Sequence, residues 1–130
     1  MSEVAFHFNA PDKVAYACRL LRKAYVKGAS LFVLAAPGDE KRLDAALWTM
    51  AQDAFLPHCL STDPDLVKSR SRIEIGVVLP ASPSAQVLVN LQGQWVEGWA
   101  QFEKIVEIVS LDETDRLDAR ERWRRYRADG

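Results

Sequence analysis

Apolar and polar positions along this chain follow two rhythms that take turns. Val4, Phe6 and Phe8 interleave with Ala5, His7 and Asn9, a period of two that predicts a strand. From Lys13 to Lys27 the apolar residues Val14, Ala17, Leu21, Ala24 and Tyr25 recur at helical spacing, with Asp12 placed as N-cap and Gly28 as stop. Leu31-Phe32-Val33-Leu34-Ala35 is apolar without a break, as in a strand buried on both faces. Pro37-Gly38-Asp39 makes a turn into a helix from about Glu40 to Met50, with Leu43, Ala46, Leu47 and Met50 on one face. Ile73–Leu79 and Val87–Leu91 read as a third and a fourth strand, Trp95–Glu103 as a short helix carrying Trp99 and Phe102, and Ile105–Val109 as a fifth strand. The last helix runs from Asp112 to about Tyr126, acidic where it starts and basic where it ends, which suits the helix dipole.

Strands that alternate with helices predict a layered α/β fold with a largely parallel, five-stranded sheet. The polar stretches Ser61–Ser71 and Ala81–Ser84 read as surface loops, and neither a repeat nor a second domain is evident, so residues 1–130 are expected to form one domain. A chain of this size buries roughly two-thirds of its unfolded surface, enough for a core without staples. Cys18 and Cys59 are far apart with no C-x-x-C pattern, which fits two unpaired thiols in a reducing cytoplasm. The N-terminus lacks the basic and apolar regions of a secretory signal, and no apolar run approaches the ~20 residues that cross a bilayer.

Charge is unevenly placed. The formal total is −1, yet Ala119–Gly130 alone carries five arginines against Glu121 and Asp129. A basic tip on an acidic body points to a local docking site rather than a surface that coats nucleic acid. Neither predicted strand-to-helix turn carries the glycines that let a backbone approach a pyrophosphate, and Asp39-Glu40 would repel phosphate. His7 and His58 have no partners at metal-ligand spacing, Glu40 and Asp44 read as a solvated helix face, and no serine sits in a nucleophile-elbow context. No catalytic residues, cofactor or metal are expected.

Two constellations remain. In Arg42-Leu43-Asp44-Ala45-Ala46-Leu47-Trp48, Leu43 and Leu47 face the core. Trp48, together with Phe55 of Phe55-Leu56-Pro57-His58, either caps the core edge or forms an exposed aromatic patch for a partner. In the last helix Arg120, Trp123, Arg124 and Arg127 fall at i, i+3, i+4 and i+7 and so share a face. That face is either solvated with Trp123 turned inward, or a surface for a ligand that offers a carboxylate and an aromatic ring.

At these constellations the sequence resembles the chi subunit family of the bacterial DNA polymerase III holoenzyme, part of the clamp-loader assembly. The resemblance rests on Arg42-Leu43-Asp44-x-Ala46-Leu47-Trp48, Phe55-x-Pro57-His58, Asn90-Leu91 at a strand end, and Ala119-Arg120-Glu121-Arg122-Trp123-x-x-Tyr126-Arg127. It implies a Rossmann-like three-layer protein, helices on both sheet faces, without catalytic activity. It also implies a link between the clamp loader and single-stranded-DNA-binding protein, whose acidic C-terminal tail ends in a phenylalanine carboxylate. Carried over by position, the tail pocket would use Arg120, Trp123, Arg124 and Arg127, with Val109 nearby. The psi subunit, or another clamp-loader component, would dock on Trp48 and Phe55. Trp123 stands where a tyrosine is common and Arg124 where a lysine is common, both in keeping with the site, whereas Ser110-Leu111 replaces an expected Pro-aromatic pair. Two other readings stay open on the residues alone: a module that binds nucleic acid directly through the arginine helix, and a small nucleotide-dependent enzyme.

Overall fold

The computed structural model describes residues 2–50, 57–65, 68, 71–81 and 83–129. The elements in order are β1 (Glu3–Ala10), α1 (Lys13–Val26), β2 (Leu31–Leu34), α2 (Asp39–Met50), β3 (His58–Leu60), β4 (Ile73–Gly76), β5 (Val87–Asn90), a single 3-10 turn (Trp99–Gln101), β6 (Lys104–Ser110) and α3 (Glu113–Asp129). The strands form one six-stranded sheet in the order β1-β6-β5-β2-β4-β3, and every neighbouring pair is parallel. β1 and β3 are its edges.

Alternation along each strand feeds two separate cores. Leu31, Val33, Ile73, Ile75, Val89, Val106 and Ile108 meet Ala17, Cys18 and Leu21 of α1 and Leu43 and Leu47 of α2. Phe32, Leu34, Leu88 and Ile105 project the other way, against Val96, Phe102 and Tyr126 of α3. Helices therefore cover both faces, and the uninterrupted apolar run of β2 is buried throughout, as expected of a central parallel strand. The local signals read from the sequence operate as anticipated. Asp12 accepts hydrogen bonds from the amides of Val14 (3.1 Å) and Ala15 (3.2 Å), and Gly28, at φ 88°, ends α1 in the left-handed region.

Three expectations need correction. The sheet has six strands rather than five, because His58–Leu60 also pairs with β4. Three residues are too few to display a period. The third predicted strand stops at Gly76, and Val77 and Val78 lie exposed. The helix expected over Trp95–Glu103 is reduced to one turn, since Gly98 takes φ 87° ahead of it. The apolar residues of that stretch instead make an irregular cover: the Trp95 and Trp99 rings sit 4.7 and 5.1 Å from that of Tyr126.

Candidate functional site

The site is built on α3 and on the edge strand beside it. α3 packs across β6, and its inward stripe is Ala119, Arg122 and Tyr126, all buried. A buried arginine needs a counter-charge, and Glu107 in the middle of β6 supplies it. Arg122 Nε donates to Glu107 Oε1 (3.2 Å) and Nη1 to the Gly93 carbonyl (2.6 Å). Tyr126 donates its hydroxyl to Glu107 Oε2 (2.8 Å), and Asn90 Nδ2 donates to the same carboxylate at 3.0 and 3.1 Å. Burial pushes Glu107 above the usual carboxylate range against the pull of Arg122, Asn90 and Tyr126, and burial together with Glu107 pushes Tyr126 up as well. The network fixes the rotation of α3 about its axis. It also removes Arg122 and Tyr126 from any binding surface.

That rotation turns Arg120, Trp123 and Arg127 outward. Trp123 is 45% exposed, and the Arg127 guanidinium lies 4.8 Å from its ring centre. Arg120 lines a cavity of about 320 Å³ together with Arg116, Phe8 and Asn9. Phe8 is exposed and its ring stacks on that of Phe6 at 5.7 Å, and β1 is irregular just beyond it: Asn9 adopts φ 64°, and the ladder to β6 slips between His7 and Ala10. Among the described residues, Arg116, Arg120 and Arg127 form no ion pair. The start of the helix is tied down at Asp115, which accepts from the Ser110 amide (2.8 Å) and from Lys13 Nζ (3.4 Å). Burial raises the Asp115 pKa, but the Ser110 and Lys13 hydrogen bonds outweigh it and hold the carboxyl below its ordinary value. An exposed aromatic, a cation stacked on it and two uncompensated guanidiniums beside an apolar ring suit an anionic ligand with an apolar or aromatic body.

The remaining candidate residues divide. Arg124 is exposed and bridged to Glu121, one turn back. Val109 has no exposed surface and belongs to the sheet floor under α3, so its side chain presents nothing to a ligand. Arg125 leaves the outward face, with its guanidinium 4.2 Å from the Trp95 ring centre and 3.4 Å from Glu97. At the far edge of the sheet, Trp48 of α2 is 55% exposed, its ring 4.8 Å from that of His58, whose Nε2 lies 3.0 Å from Asp44 Oδ1. Phe55 lies outside the described residues. Both cysteines are free and buried. Burial first and Glu74 second push the Cys59 thiol up to about 11, which makes it a poor nucleophile.

The family model of the DNA polymerase III chi subunit, HolC, matches residues 1–130. The chain belongs to the chi subunit family. Two proteins to which it is similar are each called DNA polymerase III subunit chi. That of Pseudomonas aeruginosa is 27% identical over 119 residues, which cover 91% of this chain and 81% of the relative. That of Escherichia coli is 31% identical over 102 residues, which cover 75% and 68%. A chi subunit is a non-catalytic accessory subunit of DNA polymerase III, a place in DNA replication that needs surfaces rather than a reactive centre. In this chi the sequence pointed to Arg120, Trp123 and Arg127, and the fold brings them to one surface. Phe8, Asn9 and Arg116 were missed. Arg116 is one helical turn before Arg120 and could have been found from that spacing. Phe8 is in phase with Val4 and Phe6, which pack against the core, and nothing in the sequence announced that it would stay exposed beside the arginines of α3.

Proposed function

We propose that this chi subunit grips the acidic C-terminal tail of single-stranded-DNA-binding protein in the groove between α3 and the β1 edge, and so ties the clamp loader to coated single strands in the cytoplasm. The observation that carries the reading is the outward face of α3. Trp123 stands clear of the core with Arg127 stacked on it, beside the cavity that Arg116 and Arg120 share with Phe8. Guanidiniums fork onto carboxylates, and exposed aromatic rings offer a seat for a terminal phenylalanine. Arg124, bridged to Glu121, stands at the rim, and Val109 supports the floor. A second surface around Trp48, with Phe55, would receive psi or another clamp-loader component. Trp48 is exposed on α2, away from the tail groove, in a position where an aromatic contributes more to contact than to the core.

The test is titration calorimetry with a peptide of the tail. Arg120→Glu is expected to weaken binding about tenfold or more while the far-ultraviolet circular dichroism stays unchanged. Wild-type affinity is expected to fall as salt rises. Unaltered affinity in Arg120→Glu removes this site assignment.

A further inference from the structure

A second basic cavity opens on the opposite side of the sheet. It measures about 420 Å³ and lies under the C-terminal half of α1, next to the first residues of β2, β5 and β6: Leu31, Val87 and Lys104. Its floor is aliphatic, formed by Leu20, Ala24, Leu31, Val87 and Val106. Its rim is cationic, with Arg19, Lys23 and Lys27 from α1 and its cap, and Lys104 from β6. None of these four pairs with a carboxylate among the described residues.

The helix itself does not ask for this arrangement. Lys13–Lys27 carries five cations and no acid. Arg19, Lys23 and Lys27 follow one another at i, i+4 spacing, where like charges oppose helix formation. The dipole at the end of α1 accounts for Lys23 and Lys27, but not for Arg19, a turn further in, or for Lys104 on another element. His7 on β1 completes the wall, hydrogen-bonded through Nδ1 to the Tyr16 hydroxyl. Burial first and Lys104 second lower its pKa.

We propose that this cavity is a second docking groove, for an acidic peptide segment that carries an aliphatic side chain. The carboxylates would meet the rim and the aliphatic group the floor. A nucleotide fits poorly, because the cavity sits at the N-terminal ends of parallel strands, where no glycine-rich turn brings backbone amides to a phosphate. Single-stranded nucleic acid would need open aromatic platforms. The aromatic here, Tyr16, has the His7 ring against it at 5.5 Å and the Arg19 guanidinium 5.8 Å from its centre. The groove is independent of the α3 site, which faces the other core.

The experiment is fluorescence anisotropy in the Arg120→Glu background, which weakens the α3 groove. The probes are a labelled peptide of aspartates and glutamates around two leucines, the same peptide with serines for the leucines, and an oligothymidylate. Binding of the leucine peptide is expected to persist, to weaken about tenfold in Lys23→Glu/Lys27→Glu, and to weaken with the serine peptide. The His7 imidazole resonances are expected to move on binding while those of His58 stay in place. Both lysines are exposed, and Lys104→Glu serves as an independent variant should the pair perturb α1. Loss of all acidic-peptide binding in Arg120→Glu overturns the inference and leaves the tail reading standing. Equal affinity in the lysine variants, equal affinity for the serine peptide, or tighter binding of oligothymidylate also overturns it.

Discussion

Arg120 and Arg122 are separated by one residue and meet opposite demands. Arg122 is buried on Glu107, and removing it leaves a carboxylate with no exposed surface and no counter-charge. Arg122→Ala is expected to cost about 3–5 kcal/mol in urea unfolding, while Arg120→Ala stays within about 0.5 kcal/mol. Asp115 provides a test in pH. Its folded-state pKa is depressed, so its contribution is present above the unfolded value of about 3.9 and is lost as pH falls through the folded value. Asp115→Asn is expected to lower stability at pH 7 by about 1 kcal/mol, and the gap to wild type should close in melts taken below about pH 4. Neither role was legible in the sequence. Five arginines in nine residues look alike until the chain is folded, because only the side of the helix that meets Glu107 decides which of them is paired.

At the scale of elements, α3 is a helix whose two faces serve different ends. Tyr126 and Trp123 both stand among the arginines of the last helix. In the fold Tyr126 faces the core and Trp123 faces water. Tyr126→Phe removes the donor to Glu107 and is expected to lower stability by about 1–3 kcal/mol without changing affinity for the tail peptide. Trp123→Ala is expected to do the reverse, with a thermal midpoint near wild type and affinity reduced about tenfold or more. A pair of variants that both shift stability, or both shift affinity, would contradict the division of faces. Most elements were legible from local physics: the period of α1, its Asp12 cap and Gly28 stop, and the continuous apolar run of β2. Trp95–Glu103 was misread because its apolar spacing fits a helix, whereas those side chains are held by packing on Tyr126 around a left-handed Gly98.

For the whole molecule, the order β1-β6-β5-β2-β4-β3 sets the tail groove apart from the Trp48 surface. The tail groove lies at the β1 edge on the α3 side, and Trp48 lies toward the β3 edge on the α1–α2 side. Two partners can therefore be held at once, as a linker requires. Trp48→Ala is expected to leave tail-peptide affinity and the thermal midpoint near wild type and to abolish co-purification with the clamp-loader component. Loss of folding instead would place Trp48 in the core.

The sequence by itself determined the α/β class, the parallel layering and the residue types of the outward α3 face, because strand and helix periods, caps and charge spacing are local properties of the chain. The tertiary structure alone decided that Arg122 and Tyr126 serve the core, that Phe8 lies beside Arg116 and Arg120, and that Lys104 joins the cations of α1. Each of those depends on which distant segment lies across the sheet, and such contacts arise only when hydrophobic burial fixes the order of the strands.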